Sequence, residues 1–206
     1  MATMRLVPST YYLSNSGYLT VADANNMYTN TDSDTYATIT NTQTGTTSYY
    51  LYIRGFNFSN VPSNATVTSF SVKFKVRESG VTTSTSYRPY LCNNTTTITG
   101  TASMPGTTAS VITFTGVTAT WDTIKGYGTN GADFGIRINC RRASRNNTAY
   151  LYVYGAEIEV TYTLPNPRTI TSTITGNGTI SPSGATTLYD DDEYELTITP
   201  TNKSDT

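Results

Sequence analysis

Between Val67 and Arg77, apolar and polar residues alternate: Phe70, Val72, Phe74 and Val76 on one side, Ser71, Lys73, Lys75 and Arg77 on the other. A two-residue period places successive side chains on opposite faces of a pleated strand, so this segment reads as a half-buried antiparallel strand with its charges outward. Turn residues precede it at Val61-Pro62-Ser63-Asn64. Tyr49–Phe58 reads as a second long strand, with Tyr49, Leu51 and Ile53 on one face and Tyr50, Tyr52 and Arg54 on the other. Gly55 is the expected bulge, after which Phe56 and Phe58 resume. In Phe134–Arg142, the positions Phe134, Ile136, Ile138 and Cys140 oppose Arg137, Asn139 and Arg141. In Tyr150–Tyr162, Leu151 and Val153 share a face, and then Ala156, Ile158, Val160 and Tyr162 take over with shifted parity. The slip falls at Gly155, a second bulge signal. Thr35–Thr40 and Ser110–Thr115 read as shorter strands. Ser86–Cys92 reads as an edge strand, because Pro89 has no N–H for a ladder. Only Thr120–Gly126 suggests a helical turn, with Trp121 as the expected core plug.

Eight or more strands in about 160 residues predict an all-β chain built on a jelly-roll-type β-sandwich. Composition reinforces this. Thr is the commonest residue, at 44 of 206, and there are 17 Tyr. Both disfavour helix interiors and suit strands, because Cβ branching and ring bulk restrict χ1 against a helical turn. This rules out a helical bundle or coiled coil, and a doubly wound nucleotide-binding fold is not expected, since no strand alternates with a long amphipathic helix. The pattern breaks at Leu164-Pro-Asn-Pro-Arg168, where two prolines make a stiff linker. This predicts a sandwich domain over 1–163, a linker over 164–168 and a small immunoglobulin-like β unit over 169–206. In the second unit Gly176-Asn177-Gly178 predicts a hairpin between Thr169–Thr175 and Thr179–Pro182. Leu188–Tyr189 and Tyr194–Thr199 flank an acidic turn, Asp190–Glu193. With so few strands the unit looks incomplete; the expectation is that the natural protein continues past Thr206, or that its end is cleaved or disordered.

Charge and chemistry narrow the function classes. The chain has no His, which excludes Ser-His-Asp and Cys-His nucleophiles and His-ligated zinc. Its net charge is −1, so bulk charge gives no case for nucleic acid, and no nucleic-acid-binding motif is present. No segment approaches the ~18 apolar residues of a membrane span. Pro8, Ser9 and Thr10 interrupt the apolar start, so no secretory signal is expected. Low-charge, Thr- and Tyr-rich β-proteins suit adhesion. One resolution is a chain made in the host cytoplasm and displayed on a virion surface. Cys92 and Cys140 are too few for a disulfide framework and read as buried free thiols.

Three stretches carry resemblances. Val61-Pro-Ser-Asn-Ala-Thr-Val-Thr-Ser-Phe-Ser-Val-Lys-Phe74 resembles a strand and its lead-in turn in carbohydrate-binding-module-like β-sandwiches. Ala132-Asp-Phe-Gly-Ile-Arg-Ile138, followed by Ala156-Glu-Ile-Glu-Val-Thr-Tyr162, resembles the closing strands of sandwich domains in tailed-phage virion proteins. Gly176-Asn-Gly-Thr-Ile-Ser-Pro-Ser-Gly184, with Tyr194–Pro200, is similar to bacterial immunoglobulin-like and internalin-type repeats. The resemblances imply a non-enzymatic virion structural protein, a head-fibre, decoration or tail-fibre subunit. Its implied partners are other capsid or tail proteins, further copies of itself and host-surface glycans. The alternative is a carbohydrate-binding module of a secreted bacterial protein.

The candidate binding residues are Tyr50, Tyr52, Tyr150, Tyr152 and Tyr154, which share the outward parity of their strands, with Arg137 and Arg141. If the strands are neighbours, the tyrosines make one exposed aromatic face for sugars or proteins; otherwise a sheet or loop covers them. Lys73, Lys75, Arg77, Arg137, Arg141, Arg142 and Arg145 form a modest basic set, suited to an acidic capsid surface, to acidic glycans or simply to solvent. Asp32 and Asp34 have the alternate spacing of a calcium loop but lack its sixth-position Gly and twelfth-position Glu. Glu157 and Glu159, about 7 Å apart along one strand face, have the spacing of an inverting glycosidase pair. No cofactor is expected.

Overall fold

The computed structural model describes residues 1–42, 45–79, 85–142, 149–188 and 193–201. The chain divides into two compact units, one holding Met1–Ser63 and Val67–Tyr162, the other holding Thr163 onward with Asn64–Thr66. The larger unit is an all-β sandwich of two antiparallel sheets. Its strands are β1 (Ala2–Leu6), β2 (Thr10–Leu13), β3 (Leu19–Ala22), β4 (Ala37–Asn41), β5 (Gly45–Arg54), β6 (Thr66–Glu78), β7 (Thr85–Asn93), β8 (Thr96–Ile98), β9 (Ser110–Thr113), β10 (Phe134–Arg142) and β11 (Ala149–Thr163), with one short helix, α1 (Trp121–Lys125).

The first sheet runs β3-β4-β11-β6-β9, with β1 also beside β11; the second runs β2-β5-β10-β7-β8. Consecutive strands pair only at β3–β4 and β7–β8. Every other step passes from one sheet to the other, the crossing habit of a jelly roll. The alternation read from the sequence sets the core. Val72, Phe74 and Val76 of β6 and Leu151, Val153, Ile158 and Val160 of β11 face Leu51, Ile53, Ile136 and Ile138 of the second sheet, all fully buried. Asn41 Nδ2 bridges the sheets by donating to the carbonyl of Cys140 at 3.3 Å.

At Gly155 the buried parity of β11 shifts as expected. Before it β11 pairs with β4 and beyond it with β1. A Cβ at Gly155 would lie 2.2 Å from the carbonyl oxygen of Asn30, so only glycine admits that loop. Gly55 behaves differently from the expected bulge. It adopts φ +78, β5 ends at Arg54, and Phe56 and Phe58 are buried in a loop and 3-10 turn rather than in a resumed strand. The expected edge strand β7 is interior, paired along its length with β10 and, at Leu91–Asn93 only, with β8. Pro89 lies outside the β8 pairing, so its missing N–H is tolerated where that side of β7 has no partner strand. Trp121 is not a core plug. It is half-buried at the start of α1, resting on Phe58 at 4.9 Å between ring centroids, while Ile124 fills the core.

The smaller unit contains β12 (Arg168–Ser172), β13 (Gly178–Ser181), β14 (Gly184–Leu188) and β15 (Thr197–Pro200). The hairpin expected at Gly176-Asn177-Gly178 does not form. β12 pairs with β14 and β13 with β15, giving two two-stranded ladders. The second expected pairing, of Leu188 with Tyr194–Thr199, is replaced by the same ladders. Ser172 ties them together, its hydroxyl 2.8 Å from the carbonyl of Pro182 and 3.1 Å from the Tyr194 hydroxyl. Asp190–Asp192 of the acidic turn lie outside the described residues.

Candidate functional site

The second sheet turns a tyrosine and arginine face outward. Its antiparallel register sets Arg137 of β10 opposite Tyr52 of β5 on one side and Tyr90 of β7 on the other. One step along, Asn139 lies between Tyr50 and Arg88, and Tyr12 of β2 extends the first row beyond Tyr52. The Arg137 guanidinium carbon stands 4.6 Å from the Tyr50 ring centroid and 5.3 Å from that of Tyr90, close enough for cation–π attraction. Its Nη1 donates to the Thr95 carbonyl at 2.8 Å and its Nη2 to the Thr97 hydroxyl. Arg137 Nε and Asn139 Oδ1 are buried with no hydrogen-bond partner among the described residues. Tyr12 packs on Tyr52 at 5.7 Å and Tyr50 on Tyr52 at 6.1 Å, leaving Tyr12 half exposed and Tyr52 buried. Burial raises the Tyr52 phenol above its ordinary pKa, against a smaller opposing pull from Arg137.

The charge on this sheet is one-sided. Its five strands carry Arg54, Arg88, Arg137, Arg141 and Arg142 and no Asp or Glu. Arg54 finds a carboxylate in Asp133, just ahead of β10, at 3.5 Å. Among the described residues no carboxylate comes within 4 Å of Arg88, Arg137 or Arg141.

Tyr150, Tyr152 and Tyr154 lie on the other sheet, with the opposite outlook. They cluster with Tyr36, whose ring is 5.0 Å from that of Tyr152 and 5.1 Å from that of Tyr154. Arg77 of β6 stacks on Tyr152 at 3.9 Å and donates from Nε to the Tyr154 hydroxyl at 2.9 Å. That hydrogen bond raises the Arg77 pKa further above its already high value. The expected single tyrosine face is therefore two clusters on opposite sides of the sandwich. Parity marked all five tyrosines as outward, but strand neighbours are decided by the crossings between sheets. The basic set is divided in the same way: Lys73, Lys75 and Arg77 belong to the first sheet, Arg137 and Arg141 to the second, and Arg145 lies outside the described residues. Sequence reasoning passed over Tyr12, Tyr90, Arg88 and Tyr36. For Tyr90 and Arg88 the signal was available, since they share one parity within the β7 segment.

The carboxylates of the first sheet are engaged. Glu157 is 1% exposed; its Oε2 accepts from the Thr31 N–H at 3.2 Å and stands 3.8 Å from Arg5. Glu159 pairs with Lys73 at 3.0 Å. Asp32 is bound by Arg5, and Asp34 pairs with Lys75 at 2.9 Å. The hydrogen bond that Arg5 donates to Asp32 is the largest cause of a raised Arg5 pKa. These pairings use the two carboxylates with glycosidase spacing and the two aspartates with calcium-loop spacing as ion-pair partners. Among the described residues no group of three or more Cys, Asp or Glu could hold a metal, and no helix is long and apolar enough to cross a membrane. Both cysteines are buried and free, and burial pushes each thiol up to about 12. Comparison with protein-family models, curated proteins and solved structures finds no match.

Proposed function

We propose that the chain is a non-enzymatic structural and adhesive protein of a phage particle, a head-fibre, decoration or tail-fibre subunit, that docks through the outer face of the second sheet onto an anionic partner surface. The carrying observation is the one-sided charge of that face, with its arginines laid among Tyr12, Tyr50, Tyr52 and Tyr90. Tyrosine and arginine are enriched among the residues that dominate interface energetics; the tyrosine ring buries a large rigid surface at low entropic cost, and the arginine fork matches a carboxylate with two parallel hydrogen bonds. A guanidinium already oriented by ring stacking and by Thr95 and Thr97 loses little further freedom when it meets a carboxylate. Many copies on one particle would turn weak individual contacts into firm adhesion.

The test is cosedimentation of the full chain with purified particles of the phage that encodes it. Native chain should pellet with the particles and the Tyr50→Ala/Arg137→Ala variant should remain in solution. Failure of the native chain to associate, together with its absence from particles by mass spectrometry, would overturn the reading. The second reading, a glycan-binding module, is favoured by one specific feature, the concavity beside Tyr90 described next.

A further inference from the structure

Where β8 stops pairing, the free edge of β7 opens into a pocket of about 290 Å3 lined by Arg88, Pro89, Tyr90, Gly100, Thr101, Ala102 and Met104. Its wall is fixed. Thr101 exchanges backbone hydrogen bonds with Thr115, both at 2.8 Å. Gly100 lies so close to β7 that a Cβ there would stand 2.9 Å from Leu91 Cδ1. Met104 is 54% exposed, an apolar side chain left at the rim.

We propose that this pocket binds the carboxylate-bearing ring of an acidic sugar, with Arg88 holding the carboxylate and Tyr90 stacking against the ring. This rests on the docking face described above and names what part of it recognises. Three observations point the same way. First, Arg88 is an exposed cation without a carboxylate within 4 Å among the described residues, so its natural counter-ion is an incoming anion. Second, Tyr90 borders the pocket while Arg137 stands 5.3 Å from its ring centroid, so one aromatic surface joins the concavity to the cationic sheet. An aromatic ring offers an apolar plane to the C–H face of a pyranose, and Thr101 adds a hydroxyl for its polar edge. Third, Asn139, the β10 partner of Arg88, and Arg137, the partner of Tyr90, each carry a buried polar atom with no hydrogen-bond partner among the described residues. They leave hydrogen-bonding capacity unspent in the strand next to the pocket. A compact concavity of this size suits a single ring better than an extended acidic peptide, which needs a groove along the sheet.

The experiment is saturation-transfer and chemical-shift NMR on the full chain with free N-acetylneuraminic acid, glucuronic acid, glucose and a Glu-rich decapeptide. The acidic sugars should bind, with shifts centred on Arg88, Tyr90 and Thr101, and glucose should bind at least tenfold more weakly. Arg88→Ala should weaken acidic-sugar binding tenfold or more, and Tyr90→Leu should do so while leaving peptide binding in place. Lys125→Ala, on α1 and outside both the sheet and the pocket lining, should leave the sugar titration unchanged. Equal binding of glucose and glucuronic acid, insensitivity to Arg88→Ala, or binding of the decapeptide alone at these residues would overturn the proposal. In the last case, retained cosedimentation with particles would leave the docking reading standing. Loss of both would remove both.

Discussion

The two outer faces of the sandwich are built from the same residue types and do different things with them. Each presents a cluster of tyrosines around a stacked arginine, Arg77 among Tyr36, Tyr152 and Tyr154 on the first sheet and Arg137 between Tyr50 and Tyr90 on the second. On the first sheet the cations around that cluster meet acids of their own chain: Lys73 meets Glu159, Lys75 meets Asp34, and Arg5 meets Asp32 and Glu157. On the second, the strands have no acidic residue, and three arginines have no carboxylate within reach among the described residues. A face most of whose cations are paired with acids of the chain, Arg77 being held by the Tyr154 hydroxyl instead, gains little from a charged partner. A face with unmatched cations keeps its Coulomb energy available for association and loses it to screening salt. The count of aromatic or basic residues does not separate the two faces; the location of the counter-charges does.

The largest expected effect comes from breaking the first face at its bend. Gly155→Val drives side-chain atoms into the Asn30 carbonyl, and we expect the sandwich to lose about 3 kcal/mol or more. In thermal unfolding monitored by circular dichroism this should lower the midpoint by roughly 6–12 °C. An unchanged midpoint would mean that the loop at Asn30 yields freely. Glu157→Ala comes next. It leaves the buried Thr31 N–H without its acceptor, and a loss of ~1–3 kcal/mol is expected, with anion binding intact.

Arg137→Ala reverses that profile. Its stability cost should stay near ~1 kcal/mol, the scale of a cation–π contact, while retention on an anionic surface falls at least tenfold. Arg77→Ala should leave retention unchanged. Column retention of the native chain should also fall steeply with salt. Equal losses for the two arginines would erase the distinction between the faces.

The thiols give a pH prediction. Folding raises both cysteines from an unfolded value near 9 to about 12. The unfolded chain therefore ionises first as pH rises. Stability from this source is fully present below about pH 9 and is lost progressively as pH rises toward 12. Below that window, a thiol reagent at pH 8 should label neither cysteine in the native chain and both in denaturant. Smallest of all, Asp34→Ala removes a pair whose acid is almost fully exposed, and stability should move by no more than ~0.5 kcal/mol.

Much of the fold was legible locally. A two-residue period is a property of the strand itself, so the β6, β10 and β11 segments and their inward residues followed from alternation alone. So did the slip at Gly155, because a parity change needs no knowledge of neighbours. The hairpin at Gly176-Asn177-Gly178 failed for the opposite reason. The turn residues allow a hairpin, but β12 and β13 each gain a ladder with a strand farther along the chain. Gly55 shows the same limit: its chemistry marked a break, and packing made it a turn toward buried Phe56 and Phe58.

The sequence by itself determined the all-β class, the outward parity of every candidate tyrosine and arginine, and the absence of His chemistry. These depend on composition and on the geometry of a single strand. Only the tertiary structure decided which outward residues share a face. The chain crosses between sheets at nearly every step, so strands that look alike in sequence can end on opposite sides of the molecule. It separated Tyr50 and Tyr52 from Tyr150, Tyr152 and Tyr154, brought Tyr90 and Arg88 to Arg137, and left Arg88, Arg137 and Arg141 without a carboxylate in reach among the described residues. Electrostatic pairing acts over a few ångströms of space and takes no account of separation along the chain.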